Sequence, residues 1–296
     1  VIQIGQRPQR TLARVVEVSG IGMVSGCRAC VRFLPATAGS GVAFQRIDLP
    51  GAEPIPARAE FVTGSDRRTT LGTALNQVMV VEHVLAALAG MKIDNCLIEI
   101  DAVEPPGLDG SAREFVEAIV DGGVVLQTSR RPIWAVSEPL VLERRGATLS
   151  LHPLAGSELR CSYLLDYGMN APIAPQAYTL TVTPEIFRSE IAPCRTFLLE
   201  EEANDLRQRG VGTHLNAADL LVFGRQGLID NVMLHPDEPA RHKVLDLIGD
   251  LSLAGIDLAG HVVAYRSGHP LNVQMAQELR RRVRDNGHST PSRLAA

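Results

Sequence analysis

The chain has 296 residues, 45% hydrophobic and 21% charged, with a formal net charge of −4. That length suits two ordinary domains or one large one, and the composition is globular, which excludes a disordered or fibrous chain. There is no basic excess to favour nucleic acid as the main partner, and no window has the ~18 uninterrupted apolar residues of a membrane span.

The opening VIQIGQRPQR has no positive stretch followed by an apolar core, so no secretory signal is expected there. Strand-like segments follow at 12–18, 29–34 and 41–47, separated by Gly, Pro and Ser clusters. Residues 80–91, VVEHVLAALAGM, read as a buried helix, 95–101 as a strand and 104–110 as a loop. Residues 111–123 read as a helix opened by a capping box of Ser111 with Glu114. Polar residues and a proline at 128–133 suggest a linker. Strands resume in IWAVSEPLVLE, ATLSLHP, LRCSYLLDY and AYTLTVTP, then helices in PEIFRSEI and EEEANDLRQRG. A short strand is expected at 218–223, a long helix at 239–255, a strand at 261–267 and a helix at 272–286, before a tail expected to be disordered. Five scattered cysteines (Cys27, Cys30, Cys96, Cys161 and Cys194) suit a reducing cytosol. Cys27 and Cys30 have zinc-knuckle spacing but no second pair, and read as strand residues.

Each half ends with a helix bearing a histidine near its start, then a strand, a polar loop and a helix. This suggests a duplicated α+β unit, with boundaries at 1–129 and 132–286 and a tail at 287–296.

Four short stretches carry chemistry. In RHKVLDLIGD, His242, Asp246 and Asp250 recur at steps of four, so they share one helical face. A cation would offset the cost of burying those carboxylates, and imidazole with carboxylate suits zinc. A solvated face with an i, i+4 hydrogen bond is the plainer alternative. Glu82 and His83 point about 100° apart on a helix, which suits one metal ligand beside one group touching the metal's water. The alternative is an acid favoured by the helix dipole next to an ordinary histidine. His269 sits in a strand-to-helix loop, where functional side chains are often carried. Thr196, in APCRTF, could donate to an oxyanion.

The segments QRTLARVVEVSGIG, VEHVLAALAGMKIDN, LDGSAREFV, CRTF, RHKVLDLIGDLSLAG and AYRSGHPLN together resemble the zinc-dependent UDP-3-O-acyl-N-acetylglucosamine deacetylases of lipid A biosynthesis. The resemblance covers nearly the whole chain. It implies a fold of two similar α+β domains, each a sheet packed against helices as a two-layer sandwich, with the active site between them. It implies one Zn2+ per chain, held by His83, His242 and Asp246. Glu82 matches the general base, His269 the general acid, Asp250 the residue holding that acid, and Thr196 the hydroxyl at the oxyanion. Phe197 and Lys243 match substrate-contact positions, and Asp166 with Tyr167 matches a nucleotide-side pair loosely. The implied reaction gives UDP-3-O-acyl-glucosamine and acetate, in the cytoplasm, with transient membrane contact through the acylated substrate. The alternatives are an amidohydrolase for another N-acetyl nucleotide sugar, or a non-catalytic nucleotide-sugar-binding relative.

This chain departs from the family pattern in three places. Val24 replaces a histidine in GIGMVSG, Met79–Val80 replaces Ser-Thr ahead of Val-Glu-His, and THLN at 213–216 replaces Gly-Gly-Ser. The first and third bear on substrate fit and acyl length; the second removes a helix cap. The basic ELRRRVR run reads as a solvated helix end.

Overall fold

The structure, a computed structural model, describes residues 1–217 and 219–288. It is an α+β protein built on two main sheets. The first runs β2 (Val16–Ile21), β3 (Arg28–Pro35), β9 (Cys96–Ile100), β4 (Val42–Arg46) and β5 (Ile55–Pro56). Its residues alternate as a half-buried sheet requires: Ala29, Val31 and Phe33 of β3 and Cys96, Ile98 and Ile100 of β9 face the core. The second sheet has β18 (Asp257–Tyr265) at its centre. It is flanked by β10 (Val124–Ala135), β12 (Ala147–His152) and β13 (Leu159–Leu165), with β1 (Ile2–Leu12), β11 (Leu140–Arg144) and β14 (Gln176–Thr181) outside them. Two small sheets complete the strands: β6 (Val62–Gly64), β7 (Thr70–Thr73) and β8 (Asn76–Met79) in one, β15 (Phe197–Leu199), β16 (Leu221–Gly224) and β17 (Gly227–Leu228) in the other.

The helices are α1 (Glu82–Gly90), α2 (Arg113–Gly122), one turn α3 (Pro184–Ile186) continued by a π-turn to Ile191, α4 (Glu200–Gln208), α5 (Glu238–Ser252) and α6 (His269–His288). Helices α1 and α5 cross in close contact. The backbone carbonyl of Glu82 lies where a Cβ on Gly249 would sit only 2.2 Å from it, so glycine permits the approach. Val84, Leu85, Leu88, Val244, Leu245, Leu247 and Ile248 fill the space around this crossing.

Three local expectations need correction. Residues 128–133 are not a linker: they lie inside β10, which pairs antiparallel with β1, Gln3 facing Trp134 and Arg7 facing Arg131. Strand β1 itself was not anticipated, because its mostly polar residues lack an alternating apolar face. Ser111 does not form a capping box; its Oγ donates to Asp109 and accepts from the Arg113 N–H, while the helix starts after Ala112. The expected tail lies, for residues 289–296, outside the described residues. Among the described residues no helix is long and apolar enough to cross a membrane.

Candidate active site

The first turn of α1, the middle of α5 and the first residue of α6 meet beside Thr196 and the turn at 20–26. Helix α1 begins abruptly. Val80 has φ +56°, an unusual conformation for a β-branched residue, and Val81 supplies no side-chain cap. That start places Glu82 and His83 at the helix tip, buried.

His83, His242 and Asp246 bring their ligand atoms within 4.8 Å of one another. Asp246 Oδ1 is 3.4 Å from His242 Nε2 and 3.8 Å from His83 Nε2, and the two imidazoles meet edge to face at 5.1 Å. Donors about 2.0–2.1 Å from a tetrahedral centre lie roughly 3.3 Å apart, so this set fits a small divalent ion with one position left open. The Nδ1 of His242 is 3.0 Å from the Cys194 carbonyl, which turns its Nε2 toward the group. Electrostatics agree with a ligand role. Burial, then the neighbouring His242, pulls His83 down to about 3, and burial likewise lowers His242, so both imidazoles are neutral. Burial would raise Asp246, but Lys243, whose Nζ is 2.9 Å away, and the cationic His269 outweigh it and keep it ionised.

Facing this group stand an acid and a base of inverted order. Burial raises Glu82 to about 7, against the pull of His269 and with help from Asp250 and Asp246. His269 rises to about 10: Asp250 and Glu82 overcome its burial. His269 Nδ1 is 2.8 Å from Asp250 Oδ2, and its Nε2 is 3.9 Å from Glu82 Oε1 and 4.0 Å from Asp246 Oδ2. Asp250 is fully enclosed and also accepts from Thr69 Oγ1 (2.6 Å) and Asn272 Nδ2 (3.0 Å). The Thr69 N–H donates to Glu82 Oε2 at 3.0 Å.

Thr196 lines the same cavity as Glu82 and His83, its backbone held by Gly110 and Leu221. Phe197 lies under Lys243, whose Nζ is 5.3 Å from the ring centre, and touches His242 and Tyr167 edge-on. Asp166 is not brought to this group; its carboxylate accepts from Tyr265 and the Gly168 N–H. The sequence reading passed over Thr69, Asn272 and Arg195. Arg195 pairs with the buried Glu238 at the start of α5 and so pins the CRTF segment against that helix. Asn272 carried a signal, standing three positions after His269 on one helix. Thr69 carried none.

The cavity, about 140 Å³, is walled by Val24, Leu198, Leu206, Val211, Leu215 and Val222, with Arg67, Arg68 and Arg207 among its polar atoms. Val24 therefore presents an apolar face, while its N–H donates to the buried Glu104. His214 of the THLN segment bonds the Gly22 carbonyl at 2.9 Å and fastens the insert to that turn.

A family model described as UDP-3-O-acyl N-acetylglycosamine deacetylase matches residues 9–281. The chain is 41% identical to a UDP-3-O-acyl-N-acetylglucosamine deacetylase of Trichormus variabilis over 276 residues, 92% of this chain and 98% of that one. It is 40% identical to proteins of the same name from Chlamydia abortus (93% and 97% covered) and Thermosynechococcus vestitus (92% and 93% covered).

Proposed function

Because the chain belongs to the UDP-3-O-acyl N-acetylglycosamine deacetylase family, we propose that it hydrolyses the N-acetyl group of UDP-3-O-acyl-N-acetylglucosamine. The products are acetate and UDP-3-O-acyl-glucosamine, a step of lipid A biosynthesis in the cytoplasm. The observation that carries the reading is the pairing of one His–His–Asp group with a carboxyl raised to about 7 and an imidazole raised to about 10, all enclosed around one point.

His83, His242 and Asp246 hold the metal, one Zn2+ per chain, since two neutral imidazoles and one carboxylate suit that ion. Bound there, zinc supplies Lewis acidity, polarising the scissile carbonyl and lowering the pKa of a water. Glu82, poised near neutrality, takes the proton from the attacking water. Thr196 donates its hydroxyl to the developing oxyanion. His269, kept protonated by Asp250, delivers a proton to the departing amine, which is too basic to leave as an anion. Thr69 braces both carboxylates, bonding Glu82 through its N–H and Asp250 through its hydroxyl.

The apolar cavity walled by Val24, Leu206 and Leu215 suits the 3-O-acyl chain, and Glu82 and His83 line the same cavity. Phe197, Lys243 and Tyr167, which pack together, suit the sugar–nucleotide side. The organisation we favour is two α+β units, 1–129 and 132–286, their boundary falling inside β10, so that β1 and the first half of β10 reach across into the second sheet. Metal analysis together with acetate release from acylated and non-acylated UDP-N-acetylglucosamine tests the reading. Zinc at one per chain with release only from the acylated compound supports it. Release from the non-acylated compound at equal rate points to another nucleotide sugar, and bound zinc without any release to a binding protein.

A further inference from the structure

A second cavity, about 260 Å³, lies on the reverse side of the α1–α5 crossing from the metal group. Its apolar floor is made by Leu85 and Leu88 of α1 and Ile248 and Leu251 of α5, and the chain's single tryptophan, Trp134, stands in its wall. Its charged wall is unbalanced. Arg7, Arg58, Lys92 and Arg131 face it, against Asp94 and Asp257, leaving two positive charges in excess.

The two carboxylates are already spent. Asp94 accepts both terminal nitrogens of Arg7, at 2.7 and 2.8 Å, and the Arg10 N–H. Asp257 accepts Arg7 Nε on one oxygen (2.5 Å) and Lys92 Nζ on the other (2.9 Å). Arg131 shares Asp94 as an ion pair only: its Nε lies 3.1 Å from Oδ1 but makes no hydrogen bond, although that atom is buried. Arg58, flanked by Arg280 and Arg284, has no side-chain hydrogen bond or ion pair among the described residues. A buried N–H left without an aligned hydrogen-bond acceptor is costly, and guanidinium is the group best shaped to grip a carboxylate or phosphate.

We propose that this cavity is a ligand site, separate from the active site, for a small organic anion with a short apolar tail, its head on Arg58 and Arg131 and its tail on the floor of α1 and α5. The volume agrees. A cavity of about 150 Å³ takes a benzene ring, so 260 Å³ takes roughly ten heavy atoms, the size of octanoate.

The test is titration of the full chain with octanoate, followed by Trp134 fluorescence and by calorimetry. We expect saturable binding accompanied by a change in Trp134 emission. Arg58→Ala and Arg131→Gln weaken it by about fivefold or more each, as loss of a charge-assisted bond does, and Arg58→Glu abolishes it. Acetate, lacking the tail, and octyltrimethylammonium, of the wrong charge, do not bind. His242→Ala leaves octanoate binding unchanged, which separates this cavity from the active site whatever that site's substrate. Circular dichroism melts confirm that each variant is folded. The proposal is overturned if neither method detects saturable binding, if the folded arginine variants bind as tightly as the parent, if octyltrimethylammonium binds as well as octanoate, or if His242→Ala removes the binding.

Discussion

Asp250 Oδ2 lies 2.8 Å from His269 Nδ1, and the same carboxylate group is closed off by Thr69 and Asn272. With every approach to Asp250 taken by a protein donor, its charge acts on the imidazole instead of on solvent. His269 is thereby held as a cation beside a buried carboxyl, Glu82, that sits near its midpoint at neutral pH.

The consequence for kcat/KM is a bell. In the roles proposed above, Glu82 works as a carboxylate, so activity should climb as pH rises through its pKa, about 7, and His269 works as an imidazolium, so activity should fall as pH rises through about 10. A divalent cation at the ligand group favours the carboxylate and disfavours the imidazolium, so both limbs fall at or below those values. In Asp250→Asn the basic limb moves down by about 1–3 pH units as His269 loses its main support. A basic limb that does not move in that variant assigns it to a group other than His269.

Glu82→Gln removes the proposed proton acceptor while keeping the side-chain shape. Steady-state assays should give kcat lower by about 10²–10⁴-fold with metal content unchanged. Loss of metal in this variant would make Glu82 a ligand instead.

Chelation should abolish activity, with zinc restoring it, and should lower the melting temperature. A ligand at a thousand times its Kd contributes about 4 kcal/mol, and each kcal/mol moves the melting point of a chain this size by ~2–4 °C. In His83→Ala and Asp246→Ala the chelator shift disappears. Differential scanning calorimetry with and without chelator measures this, and a shift that survives in both variants places the ion elsewhere.

Gly249→Ala puts a methyl 2.2 Å from the Glu82 carbonyl, backbone against backbone, where neither helix can yield cheaply. The gain in helix propensity, ~1 kcal/mol, offsets part of an overpacking cost of about 1–3 kcal/mol. Denaturant melts should show net destabilisation, and kcat should fall as Glu82 is displaced. Unchanged stability and kcat would mean that the crossing is looser than the structure indicates.

His214→Ala frees the insert from the turn at Gly22. Loss of a bond of ~0.5–1.5 kcal/mol should raise KM for the acylated substrate roughly 2–10-fold with little change in kcat. An equal effect on a substrate with a very short acyl chain would argue against a role for this fastening in the acyl cavity.

Much of the site was legible because it is local. His242, Asp246 and Asp250 share a face through helical periodicity alone, and they occupy that face in α5. Glu82 and His83 diverge because adjacent helical residues must, so one enters the ligand group while the other faces His269. Strand β3 showed its inward residues through simple alternation. Where that local rule was absent the reading failed. Strand β1 and residues 128–133 are polar, so only their mutual hydrogen bonding makes them strands. Ser111 had the pattern of a cap, yet Asp109 competes for its hydroxyl.

The amino-acid sequence by itself determined which side chains each helix can present together, since backbone periodicity acts over a few residues and needs no partner. Only the tertiary structure decided that Thr69 reaches Asp250 across 181 positions and that the Cys194 carbonyl turns His242. The same holds for the excess of positive charge behind α1 and α5. Those relationships depend on hydrogen bonds and burial between distant segments. No local pattern encodes such contacts, because it is the packing of one segment on another that sets both the distance and the low-dielectric surroundings giving them their strength.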